Sequence, residues 1–105
     1  MQSITVRDLA ERLARGERPV LLDVRERDEH AICHLPGCLL IPMSELPMRL
    51  QELDPEVETI VYCHHGIRSA HVIGHLMGHG FERLINLRGG IDAWSREVDP
   101  GVRVY

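Results

Sequence analysis

Four short runs rich in apolar residues restrict this chain more than anything else in it: Pro19-Val20-Leu21-Leu22-Asp23-Val24, Cys38-Leu39-Leu40-Ile41, Thr59-Ile60-Val61-Tyr62 and Arg83-Leu84-Ile85-Asn86-Leu87. A strand exposed on one face alternates apolar and polar residues. A run that is apolar at successive positions belongs instead to a strand covered on both faces of a parallel sheet. Helical spacing fills the intervals. Thr5-Val6-Arg7-Asp8 is a capping-box variant ahead of Leu9 and Leu13, predicting a helix of about ten residues that ends near Gly16. Acid-rich Glu26 to Glu29 starts a brief helix, and His34-Leu35-Pro36-Gly37 is a turn. Ser44 caps a helix carrying Leu46, Leu50 and Leu53, with Pro47 tolerated in its first turn. Val72, Ile73, Leu76 and Met77 share one side of a helix from Ser69 to about His79, stopped by Gly80, and Ile91 to Val98 forms a short helix around Trp94. Strands alternating with helices predict an α/β fold in which right-handed crossovers place helices on both faces of a parallel sheet. The length of 105 residues fits one domain, residues 1–105.

Several function classes fall away on composition. A formal charge of -4 offers no basic surface for nucleic acid. No apolar run approaches the roughly 20 residues that span a bilayer, and the first residues have no leader pattern, so the expected location is the cytoplasm. All 12 basic residues are arginines, which excludes a phosphate-loop lysine, a Schiff-base lysine and a lysine general base. Cys33, Cys38 and Cys63 are odd in number and lack CxxC spacing, arguing for reduced thiols rather than disulfides or a zinc ribbon.

Ligands of parallel sheets collect at the carboxyl ends of strands. Cys63 lies at one such end, and Asp23-Val24-Arg25 at another. In Val61-Tyr62-Cys63-His64-His65-Gly66-Ile67-Arg68-Ser69 a strand passes into a helix through a polar loop headed by a thiol. Amides at a helix start point into such a loop, and the helix dipole favours negative charge there, so Cys63 is a candidate nucleophile. Gly66 supplies a positive φ. Arg68 has the planar fork to anchor the loop through a carboxylate, with Asp23 or an acid near it as partner. His64 and His65 are placed to orient a substrate or add positive charge.

The chain resembles the rhodanese family of persulfide-forming sulfurtransferases. The resemblance rests on Leu22-Asp23-Val24-Arg25-Glu26, on His34-Leu35-Pro36-Gly37 with Ile41-Pro42, on Tyr62 to Ala70, and on Asn86-Leu87-Arg88-Gly89-Gly90-Ile91-Asp92-Ala93-Trp94. It implies a three-layer α/β/α fold with a five-stranded parallel sheet and a catalytic Cys63 heading a six-residue loop, His64, His65, Gly66, Ile67 and Arg68 binding the persulfide and the donor. Asp23, Arg25 and Ser69 are supporting residues. Related phosphatases and arsenate reductases space the cysteine and arginine by five residues, whereas here four separate Cys63 from Arg68. The smaller loop suits one extra sulfur atom better than a phosphate.

The implied reaction moves sulfane sulfur from thiosulfate or a persulfide donor to cyanide or a thiol through a Cys63 persulfide. It needs no cofactor and no metal. Cys33-His34-Leu35-Pro36-Gly37-Cys38, with the segment from Gly89 to Trp94 and the Val98-Asp99-Pro100 tail, is similar to rhodanese modules fused to ubiquitin-activating-type adenylyltransferases, which implies a protein thiol or sulfur carrier as another acceptor. The alternative is a relay or docking module acting only within a cofactor-biosynthesis complex. In Cys33-His34-Leu35-Pro36-Gly37-Cys38, cysteine stands at position 33 where the commonest family pattern has glycine.

Other features have plainer readings. Cys33 and Cys38 read as packed thiols, with a resolving role toward Cys63 as the sharper alternative. His71, His75 and His79 share a helical stripe that reads as a polar face rather than a metal site. Ala70, Gly74 and Gly78 form a small-residue stripe that predicts close packing against a neighbouring element, since each glycine costs a helix about 1 kcal/mol relative to alanine.

Overall fold

The computed structural model describes every residue from Met1 to Tyr105. The four apolar runs become β2 (Val20–Asp23), β3 (Leu39–Leu40), β4 (Thr59–Tyr62) and β5 (Leu84–Leu87). A further strand, β1 (Ser3–Ile4), is too short to leave a sequence pattern; it pairs with β5, Ser3 opposite Asn86 and Ile4 opposite Leu87. Every pairing is parallel, and the order is β1-β5-β4-β2-β3. This is the five-stranded parallel α/β sheet that the resemblance implies.

β4 is central, and all four of its residues are buried. Because successive side chains point to opposite faces, the strands feed two cores. Leu22 and Val61 pack with Leu46, Leu53 and with Val72, Ile73 and Leu76 of α3 (Ile67–Met77). Leu21, Ile60 and Tyr62 pack on the other face with Val6 and Leu9 of α1 (Val6–Ala14) and with Ile91 and Trp94 of α4 (Gly90–Glu97). Burying one such side chain stabilises by about 1.5–3 kcal/mol. The residue leaving β4 therefore starts from a firmly held position.

The helix ends follow local chemistry. α1 begins as predicted, with the Asp8 amide donating to Thr5 Oγ1 at 3.1 Å. α2 (Arg27–Ile32) opens with a capping box between Glu26 and Glu29. The α-helix expected from Ser44 is instead two 3₁₀ segments, Met43–Met48 and Leu50–Glu52. The first segment starts at Met43 rather than after a Ser44 cap, so Pro47 falls past the first turn, where its missing N–H and its ring against the Met43 carbonyl would break an α-helix; the tighter turns avoid that while Leu46 and Leu53 still reach the core. α3 starts at Ile67, two residues before the expected Ser69, because Gly66 turns the chain at φ 110°.

The close packing expected at Ala70, Gly74 and Gly78 is absent. A Cβ on Gly74 would meet open space, and one on Gly78 only carbonyls of its own helix. Ala70 and Gly74 line a surface groove with Gly66, Ile67 and His71. No helix is long and apolar enough to cross a membrane.

The chain direction parts between β2 and β4, since β2 neighbours β3 on one side and β4 neighbours β5 on the other. Such a switch point opens a crevice at the carboxyl ends of the two strands. Asp23–Arg25 and Cys63 meet there.

Candidate active site around Cys63

Cys63 follows β4 directly and is almost fully buried, 1% exposed. Its Sγ receives the Gly66 amide at 3.0 Å and the Ser69 amide at 3.4 Å, and lies 3.4 Å from Ser69 Oγ. Burial pushes the thiol pKa up. The Ser69 hydroxyl and the amides of Ser69, Gly66 and His65 outweigh burial, so the net shift is downward. Three of these donors are backbone groups fixed by the turn into α3, whose dipole has the same sign of effect.

The Ser69 hydroxyl is shared. It donates to Asn86 Oδ1 at 2.6 Å, and one proton cannot also serve Cys63. In the thiol state Cys63 is therefore the donor to Ser69; the hydroxyl must turn from Asn86 to stabilise a thiolate. Asn86 on β5 also donates through Nδ2 to the Gly66 carbonyl at 3.1 Å, which ties the loop to the next strand.

A second brace comes from α4. The Ile91 and Asp92 amides donate to the carbonyls of Cys63 and His64 at 3.0 and 3.1 Å. That contact requires Gly90, which sits at φ 61° and whose Cβ, if present, would lie 2.4 Å from the His64 carbonyl oxygen. This approach leaves no local signal in the sequence, because the partner carbonyls are more than twenty positions from Gly90.

Arg68 grips Glu29 with both guanidinium arms, at 2.6 and 2.9 Å. Its partner is an acid near Asp23 rather than Asp23 itself, which is saturated elsewhere: Arg25 takes both its oxygens, and the Tyr62 hydroxyl and His30 Nδ1 each lie 3.1 Å from Oδ2. Asp23 and Arg25 are completely buried. Glu29 is held well down, to about 2, first by the Arg68 bond and further by Tyr105. The Tyr105 hydroxyl lies 2.8 Å from both Glu29 Oε2 and Arg25 Nη1, donating to the first and accepting from the second. Glu29 and Tyr105 were not among the residues singled out from sequence. Only the acid-rich turn at positions 26–29 and the pairing need of Arg68 pointed toward the first.

His64 turns inward and His65 outward. The His64 ring stacks on Tyr105 at 3.9 Å, nearly parallel, and lies 3.9 Å from the His65 ring. Burial, followed by the nearby His65, lowers the His64 pKa, which disfavours the charged imidazolium there. The His65 side chain is 59% exposed, and Ile67 is 72% exposed at the rim.

Cys33 and Cys38 are free thiols partly buried against the core on the sheet face opposite the one containing Cys63. The nitrogens of His71, His75 and His79 do not converge. Two other groups bring donor atoms within 4.8 Å of one another, Asp23-His30-Cys38 and His64-His65-Asp92. In the first, a cation would compete with Arg25 for Asp23; in the second, Arg96 already holds Asp92 at 3.0 Å.

Residues 5–97 match the family described as Rhodanese-like domain. A protein named Sulfurtransferase from Allochromatium vinosum is 38% identical over 100 residues, 95% of this chain and 94% of that one. The Probable adenylyltransferase/sulfurtransferase MoeZ of Mycobacterium tuberculosis is 34% identical over 98% of this chain, which spans 27% of that protein. The crystal structure of a rhodanese-like domain protein from Staphylococcus aureus superposes with a TM-score of 0.87 at 31% identity, covering 100% of this chain and 99% of that one.

Proposed function

The chain belongs to the rhodanese-like family of sulfurtransferases, and from that premise we propose that it transfers sulfane sulfur through a persulfide on Cys63, with thiosulfate as a competent donor. In the first step the Cys63 thiolate attacks the outer sulfur of thiosulfate. A new S–S bond forms, the old one breaks, and sulfite leaves with the electron pair. In the second, cyanide or a thiolate attacks the outer persulfide sulfur, carries it off as thiocyanate or a new persulfide, and returns the Cys63 thiolate. No external oxidant or reductant enters.

The observation that carries this reading is the set of backbone amides around Cys63 Sγ, which favours an anionic sulfur where a free thiol of pKa ~8.5 would be mostly protonated. Arg68 supports it from another side. With both arms on Glu29, it has no free fork for a tetrahedral oxyanion, as phosphoryl chemistry would need. A thiosulfate-to-cyanide assay tests the proposal: the parent forms thiocyanate and Cys63→Ala does not. Equal rates would remove Cys63 from the reaction.

The similarity to part of MoeZ favours a second reading, in which the same persulfide is delivered only to a partner within a complex. The isolated chain would then become persulfidated yet turn over poorly with cyanide.

A further inference from the structure

Tyr105 lies 42 positions beyond Cys63 in sequence; its ring touches the loop directly at His64, and its hydroxyl reaches two residues behind the loop, Glu29 and Arg25. Its hydroxyl donates to Glu29 Oε2, the carboxylate that clamps Arg68. The same oxygen accepts from Arg25 Nη1, whose other nitrogens are fixed on buried Asp23. Its ring lies 3.9 Å from His64 with an interplanar angle of 6°, covering the residue next to the nucleophile. A tail held only by packing would need none of these polar contacts.

We propose that Tyr105 is a positioning residue for the Cys63 loop, its hydroxyl linking the Asp23–Arg25 pair to the Glu29–Arg68 clamp and its ring bracing His64. The inference rests on the sulfur-transfer reading for its meaning, though not for its test. The charged and titratable groups around Cys63 are His64 and His65 in the loop, Arg68 on α3, Glu29 on α2, Asp92 on α4, and Arg25 with Asp23 behind Glu29. Of these, Arg68 favours the thiolate and Glu29 opposes it. The Tyr105 hydroxyl donates to Glu29 and so draws off part of its negative charge. Without that bond Glu29 is less neutralised and Arg68 less fixed, and the thiolate is less favoured.

The test is the pH dependence of Cys63 alkylation by iodoacetamide in a Cys33→Ser, Cys38→Ser background. Tyr105→Phe keeps the ring and removes the hydroxyl; Tyr105→Leu removes both. The Phe variant is expected to move the alkylation midpoint upward by about half a unit, slowing the reaction at neutral pH about threefold, and the Leu variant to move it further. Thermal unfolding identifies a variant that fails to fold, in which case Tyr105→Phe decides alone. A midpoint for Tyr105→Phe coincident with the parent's overturns the proposal. Intact mass after thiosulfate treatment separates the two readings: a parent that gains no sulfur sinks the sulfur-transfer reading wherever the midpoints lie.

Discussion

Cys63 and Cys38 are both largely withdrawn from water and both lie beside strands of the same sheet, yet their surroundings push them in opposite directions. Cys63 leaves β4 toward the start of α3 and meets a ring of N–H donors. Cys38 enters β3, meets no helix start, and has His30 Nδ1 at 4.0 Å. Burial raises the Cys38 pKa, the Tyr62 hydroxyl draws it back, and the Asp23 carboxylate raises it again, so the net shift is upward. Burial opposes the thiolate in both places. Fixed donors decide the sign, and only the strand-to-helix turn supplies them. The histidine beside Cys38 is not a counterexample, because its Nδ1 faces both Cys38, at 4.0 Å, and Asp23, at 3.1 Å, and the one proton that nitrogen can carry serves only one of them.

The largest test of that contrast replaces each thiol in turn. Cys63→Ser is expected to lower thiosulfate-to-cyanide transfer by more than about a thousandfold, whereas Cys38→Ser stays within about twofold, read by initial rates of thiocyanate formation. A smaller but sizeable effect is expected from Gly90→Ala. The added methyl would overlap the carbonyls of Cys63 and His64 at a φ of 61°, destabilising the protein by about 1–3 kcal/mol in urea titrations and displacing the loop donors that distinguish Cys63. Loss of the Cys63 contrast without loss of fold would show that the α4 brace matters to the site itself.

Glu29 provides a pH test. Its folded pKa of about 2 lies below its ordinary 4.5, so the stability it contributes is present above 4.5 and is lost as pH falls toward 2. Glu29→Gln should therefore show a flatter decline of the urea midpoint between pH 5 and pH 2 than the parent; parallel declines would mean that the Arg68 clamp adds nothing. The smallest expected change belongs to Ser69→Ala. Removing the shared hydroxyl leaves the amides in place and should raise the alkylation midpoint of Cys63 by about half a unit. No movement would mean that the hydroxyl stays on Asn86 in both states.

Much of this arrangement was readable from local pattern. The buried strands announced themselves through apolar runs, Gly66 through its place at a helix start, and the Arg68 requirement for a carboxylate through the chemistry of a guanidinium in a loop. What escaped was set by distance along the chain. Glu29 is 39 residues from Arg68, and Tyr105 is 76 from Glu29, so neither pairing has a local signature. β1 is two residues long and exists only because β5 offers it an edge. The Ser44 segment carried a helical leucine spacing that 3₁₀ turns also satisfy once Pro47 disallows the α-helix. The Ala70, Gly74 and Gly78 stripe has the spacing of a packing face, but no element of the fold lies over it.

The most direct check of the account is intact-mass spectrometry after incubation with thiosulfate and removal of excess donor, applied to the parent, Cys63→Ser and Cys38→Ser. The parent and Cys38→Ser should each gain one sulfur atom, reversed by cyanide, while Cys63→Ser gains none. A sulfur retained in Cys63→Ser, or lost in Cys38→Ser, would place the reactive thiol elsewhere and contradict the reading of the β4–α3 loop.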